Sequence, residues 1–186
     1  AGVGGGGGWG PEGVRPDLRL ADEGRGMLDL PFLSYAQGSL DPVKTMLESP
    51  ASLPGLSDGG AHVGMICDGS FPTTLLTHWS RDRSRGDTIP LEFLIKRQSH
   101  DTAAWVGLKD RGLLKPGYRA DLNVIDYDNL TLHAPYIVHD LPACGRRLMQ
   151  RADGYEATIV AGEIIQRGGV STGAKPGRLV RGARAA

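Results

Sequence analysis

Residues Gly55 to His62, Gly-Leu-Ser-Asp-Gly-Gly-Ala-His, set one carboxylate, Asp58, between a short apolar segment and a pair of glycines, with an imidazole four positions on. An ordinary turn accepts Asp, Asn or Ser without any hydrophobic lead-in. A carboxylate at the end of such a segment is therefore a candidate for more than turn formation. His62 is a substrate-side candidate because it follows Asp58 so closely, and Arg81 is another because a guanidinium grips a carboxylate through two parallel donors. Each has a plainer reading. Strand-end loops carry many capping aspartates, a lone histidine is more often satisfied by ordinary hydrogen bonds, and Arg81 falls in the polar last turn of a helix. The histidines His62, His78, His100, His133 and His139 show neither His-x-His nor His-x-x-x-His spacing, so no metal cage is legible in the chain.

The elements that must position these groups can be read from pattern. From Leu28 the run Leu-Asp-Leu-Pro-Phe-Leu-Ser-Tyr is mostly apolar, and Asp41-Pro42 then predicts a helix N-cap followed by proline at the first helical position. Val43, Met46 and Leu47 follow at helical spacing until Pro50. Ser52 to Ser57 predicts a short strand that ends at Asp58. After a loop through Cys67 to Ser70, Pro72 opens a second helix with Leu75, Leu76 and Trp79 on one face and Arg81, Asp82 and Arg83 in a solvated last turn. A third helix begins near Pro90, with Leu91, Leu94 and Ile95 inward. Asp101 then caps a short helix, Thr102 to Val106, closed by Gly107. Trp79 and Trp105 read as core anchors, and Cys67 and Cys144 as small buried hydrophobes.

Beyond residue 115 the texture changes. Ala120 to Asp126 alternates as a half-buried strand, and the segments from Glu156 and Glu163 flank Ala161-Gly162 as a tight hairpin. Helices and strands alternate first, and strands alone come last. A boundary is expected near Lys115-Pro-Gly, with a turn inside one domain as the alternative. Residues 1 to 20, which include a run of glycines, read as a flexible tail.

Composition narrows the partners. Across 186 residues Lys plus Arg equals Asp plus Glu at 21 each, and no block of like charge would steer the chain to nucleic acid or an acidic membrane. A small-molecule partner is expected. Two distant cysteines offer no disulfide framework, which fits a cytoplasmic setting. No apolar run approaches the ~18 residues of a membrane span, and no signal peptide is visible. The chain begins at Ala1, a hint that it is cut from something longer.

Four segments together resemble a known family: Leu56-Ser-Asp-Gly-Gly-Ala-His; Gly107-Leu-Lys-Asp-Arg-Gly-Leu-Leu-Lys-Pro-Gly-Tyr-Arg-Ala-Asp-Leu-Asn-Val-Ile-Asp; Thr158-Ile-Val-Ala-Gly; and Thr172-Gly-Ala-Lys-Pro-Gly-Arg-Leu. From about residue 21 onward they are similar to the C-terminal part of the amidohydrolase superfamily, in its D-aminoacylase (N-acyl-D-amino-acid deacylase) branch. The resemblance implies an α/β fold: residues 21–118 as the end of a (β/α)₈ TIM-type barrel and residues 119–186 as strands of a small β-sandwich and a C-terminal segment. It also implies that Asp58 ends the last barrel strand, where such barrels place their chemistry. There it would act as general base on a water bound to Zn²⁺, whose pKa the metal lowers to about 7. Aspartates at this place in the family also touch a metal.

The family's His-x-His and its middle-strand ligands are missing, so the zinc ligands are expected mostly outside this chain. The chain alone is expected to be inactive until the N-terminal part of the barrel joins it. Two rivals stand beside this expectation. One is a non-catalytic structural piece that completes a barrel. The other is a phosphate-binding module, because Gly2-Val-Gly-Gly-Gly-Gly satisfies G-x-G-x-x-G, although no strand precedes it and no Lys-Ser/Thr follows.

Overall fold

Proline-started helices come first along the chain and a layer of antiparallel strands follows, so the fold mixes helix and sheet. The computed structural model describes residues 38–55, 57, 59 and 62–181. The expected tail, the apolar run from Leu28 and the placement of Asp58 lie outside those residues. The chain divides into two units, Ala1–Ser49 and Pro50–Ala186.

The first unit contributes helix α1 (Asp41–Glu48). Proline near its start supplies a preset φ and lacks an amide that would go unpaired there. The helix begins at Asp41 itself rather than being capped by it. The Asp41 amide donates to Ser39 Oγ at 3.1 Å, so serine holds the entry. Lys44 and Glu48, one turn apart, pair at 2.7 Å.

Near the start of the second unit, Ser52–Gly55 forms no strand, contrary to the short strand expected over residues 52–57. A strand needs a neighbouring ladder for its amides and carbonyls, and none of the described residues supplies one. The Ser52 carbonyl instead accepts from Arg97. Helix α2 (Phe71–Thr77) runs on as a π-helical turn, His78–Asp82. Its buried face holds Leu75, Leu76 and Trp79, as the spacing predicts. The hydroxyls of Thr77 and Ser80 donate back to the carbonyls of Thr73 and Leu76. Such back-bonding competes with the amides for ladder acceptors and loosens the helix. Arg83 is buried, not solvated: its guanidinium stacks on the Trp79 ring at 4.8 Å.

The Ile89 amide donates to the Trp79 carbonyl at 2.7 Å and returns the chain to Pro90, which starts helix α3 (Leu91–Lys96). Leu94 is sealed at 1% exposure whereas Ile95, expected inward, is 46% exposed. The covered arc of this short helix is narrower than its apolar stripe. A second π-helical turn, Arg97–Asp101, runs directly into α4 (Thr102–Trp105). Asp101 therefore sits inside a helical run and does not cap a new one. Its carboxylate accepts from Lys96 Nζ at 2.7 Å and lies 3.0 Å from His100 Nδ1. Those hydrogen bonds hold its pKa below the usual carboxylate range. Gly107 follows α4 at φ 79°, the left-handed stop that glycine adopts most easily.

Eight strands follow: β1 (Leu122–Ile125), β2 (Thr131–Leu132), β3 (Tyr136–Leu141), β4 (Gly145–Met149), β5 (Ala152–Asp153), β6 (Tyr155–Val160), β7 (Glu163–Arg167) and β8 (Val170–Ser171). One antiparallel sheet has the order β1-β6-β7-β8, while β2 pairs with β5 and β3 with β4. The β6–β7 hairpin turns at Ala161 and Gly162, both with positive φ (53° and 82°), as the two-residue turn requires. Asp121 seals that turn: its carboxylate accepts the Ala161 amide at 2.8 Å and also takes Arg111 and Arg119, each at 3.2 Å. This is the structural work of the aspartate in Arg-Ala-Asp-Leu. Gly154 is obligatory in another sense. At φ 95°, a Cβ there would stand 2.7 Å from Leu130 Cα, and Leu130 is fully buried.

Candidate functional site

Asp58 is bonded to Ser57 and Gly59, both of which are described. A Cβ built on Gly59 would lie 3.5 Å from Gly69 Cα. The loop leaving Asp58 thus folds back onto the 3₁₀ turn Asp68–Ser70 that leads into α2. His62 makes the return with its backbone. At φ 51° its carbonyl accepts the amides of Met65 (2.8 Å) and Ile66 (3.0 Å), while its ring is exposed. From the strand side, the Leu148 amide of β4 donates to the Val63 carbonyl at 2.7 Å.

Where loop and strands meet there is a recess of about 160 Å³. Cys67, Gly69, Ser70 and Thr73 form one wall, and Leu132, Gln150 and Ala152 the other. Burial, with Asp68 alongside, pushes the Cys67 thiol above its ordinary pKa, so this wall is neutral. A larger groove of about 750 Å³ is lined by Pro50 to Gly55 and by Asp101, Thr102, Ala104, Trp105 and Val106. The segment entering Asp58 thus borders one cavity and the loop leaving it borders the other. The smaller recess has the hydroxyl and thiol groups; the larger groove is walled chiefly by apolar side chains.

Helix α2 is fastened to the strand layer by side chains that pattern reading passed over. Thr73 Oγ1 and Tyr155 OH share a hydrogen bond of 2.7 Å, and Ser80 Oγ and Tyr127 OH share one of 2.6 Å. The signal was available: Thr73 and Ser80 stand seven apart, on one helix face, and a tyrosine whose ring is packed needs a partner for its hydroxyl. Arg81 completes the seam. Its five N–H groups donate to both oxygens of Asp82 and to the carbonyls of Tyr127, Asp128 and Leu130. Its guanidinium also lies over the Tyr127 ring, 5.4 Å from the centroid. The solvated charge of the sequence reading is a clasp on backbone.

Three further expectations are corrected. A lone histidine such as His78 is expected to be satisfied by ordinary hydrogen bonds, yet its buried Nε2 has no hydrogen-bond partner among the described residues. Burial pushes its pKa down and Arg83 adds to this, with Asp82 opposing. Trp105 is 80% exposed rather than a core anchor, because none of the described residues of its unit covers that face. Cys144 is exposed rather than buried, since it sits in the tip of the β3–β4 hairpin at φ 58°. His62 and Arg81 are therefore not gathered around one cavity. Among the described residues no three His, Cys, Asp or Glu side chains converge as a metal would require, so the residues present do not form a zinc cage. No described helix is long and apolar enough to cross a membrane.

A model of the amidohydrolase family matches residues 17–166. No curated protein matches the sequence. Among solved structures the chain is similar to a D-aminoacylase described as defining a novel subset of amidohydrolases, with 29% identity and a TM-score of 0.42. That similarity covers 55% of this chain and 19% of the D-aminoacylase, so the chain spans about a fifth of that protein's length.

Proposed function

From the premise that this chain belongs to the amidohydrolase family, we propose that it forms the closing segment of a zinc-dependent, cytoplasmic hydrolase that cleaves the amide bond of N-acyl-D-amino acids. Asp58 is its proton acceptor. In this assignment the helices through residue 118 end a (β/α)₈ barrel, Asp58 stands at the end of the last barrel strand, and the strands from residue 119 belong to a small β-sandwich. The rest of the barrel is the missing catalytic partner.

One observation carries the assignment of Asp58. The residue bonded to it, Gly59, lies near Gly69, so that a Cβ built on it would stand 3.5 Å from Gly69 Cα, and Gly69 is in the wall of a recess whose groups are hydroxyls, a thiol and an amide. In this assignment the Asp58 carboxylate takes a proton from water and delivers it to the leaving nitrogen. Zinc takes its ligands mostly from outside this chain, and Asp58, the general base, is also a candidate metal contact. His62, exposed four residues further on, is the substrate-side candidate. Arg81 is left out of the substrate site because its donors hold the strand layer.

The test is Asp58→Asn in the enzyme that contains this segment, assayed on an N-acyl-D-amino acid with bound zinc measured alongside. Loss of general base catalysis lowers kcat by about 10²–10⁴ with little change in KM. Near-normal kcat with full zinc would remove Asp58 from the chemistry. Parallel loss of zinc and activity would make it a metal ligand first.

A further inference from the structure

Helix α2 runs into its π turn at His78. That turn carries two fasteners to the strand layer: Ser80 bonds Tyr127, and Arg81 clasps the carbonyls of Tyr127, Asp128 and Leu130. His78 is half-buried, its Nε2 is sealed from solvent, and no described group bonds that nitrogen. A neutral imidazole can leave the sealed nitrogen as a bare lone pair and carry its hydrogen on the other. An imidazolium cannot, because both nitrogens then hold hydrogen and one N–H is buried without an acceptor. The charge is as badly placed as the hydrogen. His78 meets the Trp79 ring at near right angles with centroids 5.0 Å apart, and the Arg83 guanidinium already lies over the same ring at 4.8 Å. An imidazolium would share one indole with a cation that cannot be discharged. The charged groups that act on the His78 ring are Arg83 and Asp82, with none from α3 or the strand layer. Of the two, Asp82 alone favours the charged form, and both its oxygens accept from Arg81, at 2.6 and 3.0 Å. Drawing Asp82 toward His78 would therefore pull on the clasp itself.

We propose that His78 is an acid-sensitive release for the seam between α2 and the strand layer: protonating its ring loosens the π turn and, with it, the Ser80 and Arg81 fastenings to residues 127–130. The device is independent of the role given to Asp58. Burial first, and then Arg83, hold the folded pKa of His78 below the usual imidazole value, so the unfolded chain takes up the proton first as pH falls. The stability that the neutral ring contributes is complete above about pH 6.5 and is lost as pH falls from there through the lowered folded value. Asp82 and Asp101, whose pKa values are also held down, lose their contributions only below about pH 4.

The experiment follows amide exchange, corrected for its intrinsic pH dependence, between about pH 7.5 and about pH 5 in the intact protein that contains this segment and in its His78→Phe variant. Phenylalanine keeps a ring against Trp79 and removes the titration. In the unaltered protein, exchange of residues 78–83 and 127–130 should speed by about tenfold over that range, while α3 and the β6–β7 hairpin hold. His78→Phe should abolish the acceleration. The same acceleration in His78→Phe, or one spread evenly over the second unit, would overturn the proposal. Should the variant misfold, the ring proton resonances of His78 in the unaltered protein decide the matter. Titration below about 6.5, in step with the exchange of residues 127–130, is the expected result, and titration at or above that value would overturn the proposal.

Discussion

Two helical runs of the second unit share one plan and meet different fates. The first is α2 with its π turn, residues 71–82; the second is α3, its π turn and α4, residues 91–105. Both begin beside a proline, widen into a π turn of five residues, and carry a tryptophan. Yet Trp79 is 5% exposed and Trp105 is 80% exposed. The arginines differ in their partners, although Arg97 is the more buried of the two. Arg81 clasps three carbonyls between β1 and β2, whereas Arg97 reaches the Ser52 carbonyl and lies 3.6 Å from Asp101. Periodicity decides which face of a helix is apolar, and the neighbouring layer decides whether that face is covered. The strand layer covers the first run, while the second borders the groove of about 750 Å³.

The contrast can be broken by substitution. The largest effect is expected at Trp79→Ala, which empties a site closed by Leu75, Leu76 and the stacked Arg83 and should cost about 3–5 kcal/mol in urea unfolding. A loss below about 1 kcal/mol would mean that the strand layer does not clamp this run. Arg81→Lys comes next. Lysine keeps the charge but cannot reach three carbonyls and a carboxylate with a planar fork, so a loss of about 1–2 kcal/mol is expected by the same measurement. An unchanged midpoint would show the clasp to be incidental. The smallest effect belongs to Trp105→Ala, within about 0.5 kcal/mol for a side chain that buries so little. A cost near that of Trp79 would show that the groove is filled in the working protein, and so would sharpen the comparison into one between two covered faces.

Much of the helical half was legible because its signals are local. Pro42, Pro72 and Pro90 mark helix starts, Gly107 marks a stop, and the buried trio Leu75, Leu76 and Trp79 follows from spacing alone. The β6–β7 hairpin was legible at Ala161-Gly162 for the same reason. Strands β2 to β5 were not: β2 and β5 have two residues each, and pairings such as Thr131 with Asp153 and Tyr136 with Met149 are encoded by no local pattern. Ser52–Gly55 shows the converse error: a strand-like composition without a partner strand does not make a strand. The Ser-Asp-Gly-Gly-Ala-His segment marks Asp58 as a candidate by resemblance alone. Nothing in it announced that Gly59 would come near Gly69 or that Thr73 of the next helix would bond Tyr155.

The sequence by itself determined the family, the order of helices before strands, the apolar stripes and the turn residues, because each is written in neighbouring residues and needs no distant contact to be expressed. Only the tertiary structure decided which tryptophan is buried, which arginine becomes a backbone clasp, and which hydroxyls meet across 82 and 47 positions of chain. Those outcomes depend on which surfaces are brought together. A side chain's environment is a property of its neighbours in space, and the chain specifies those neighbours only through the fold as a whole.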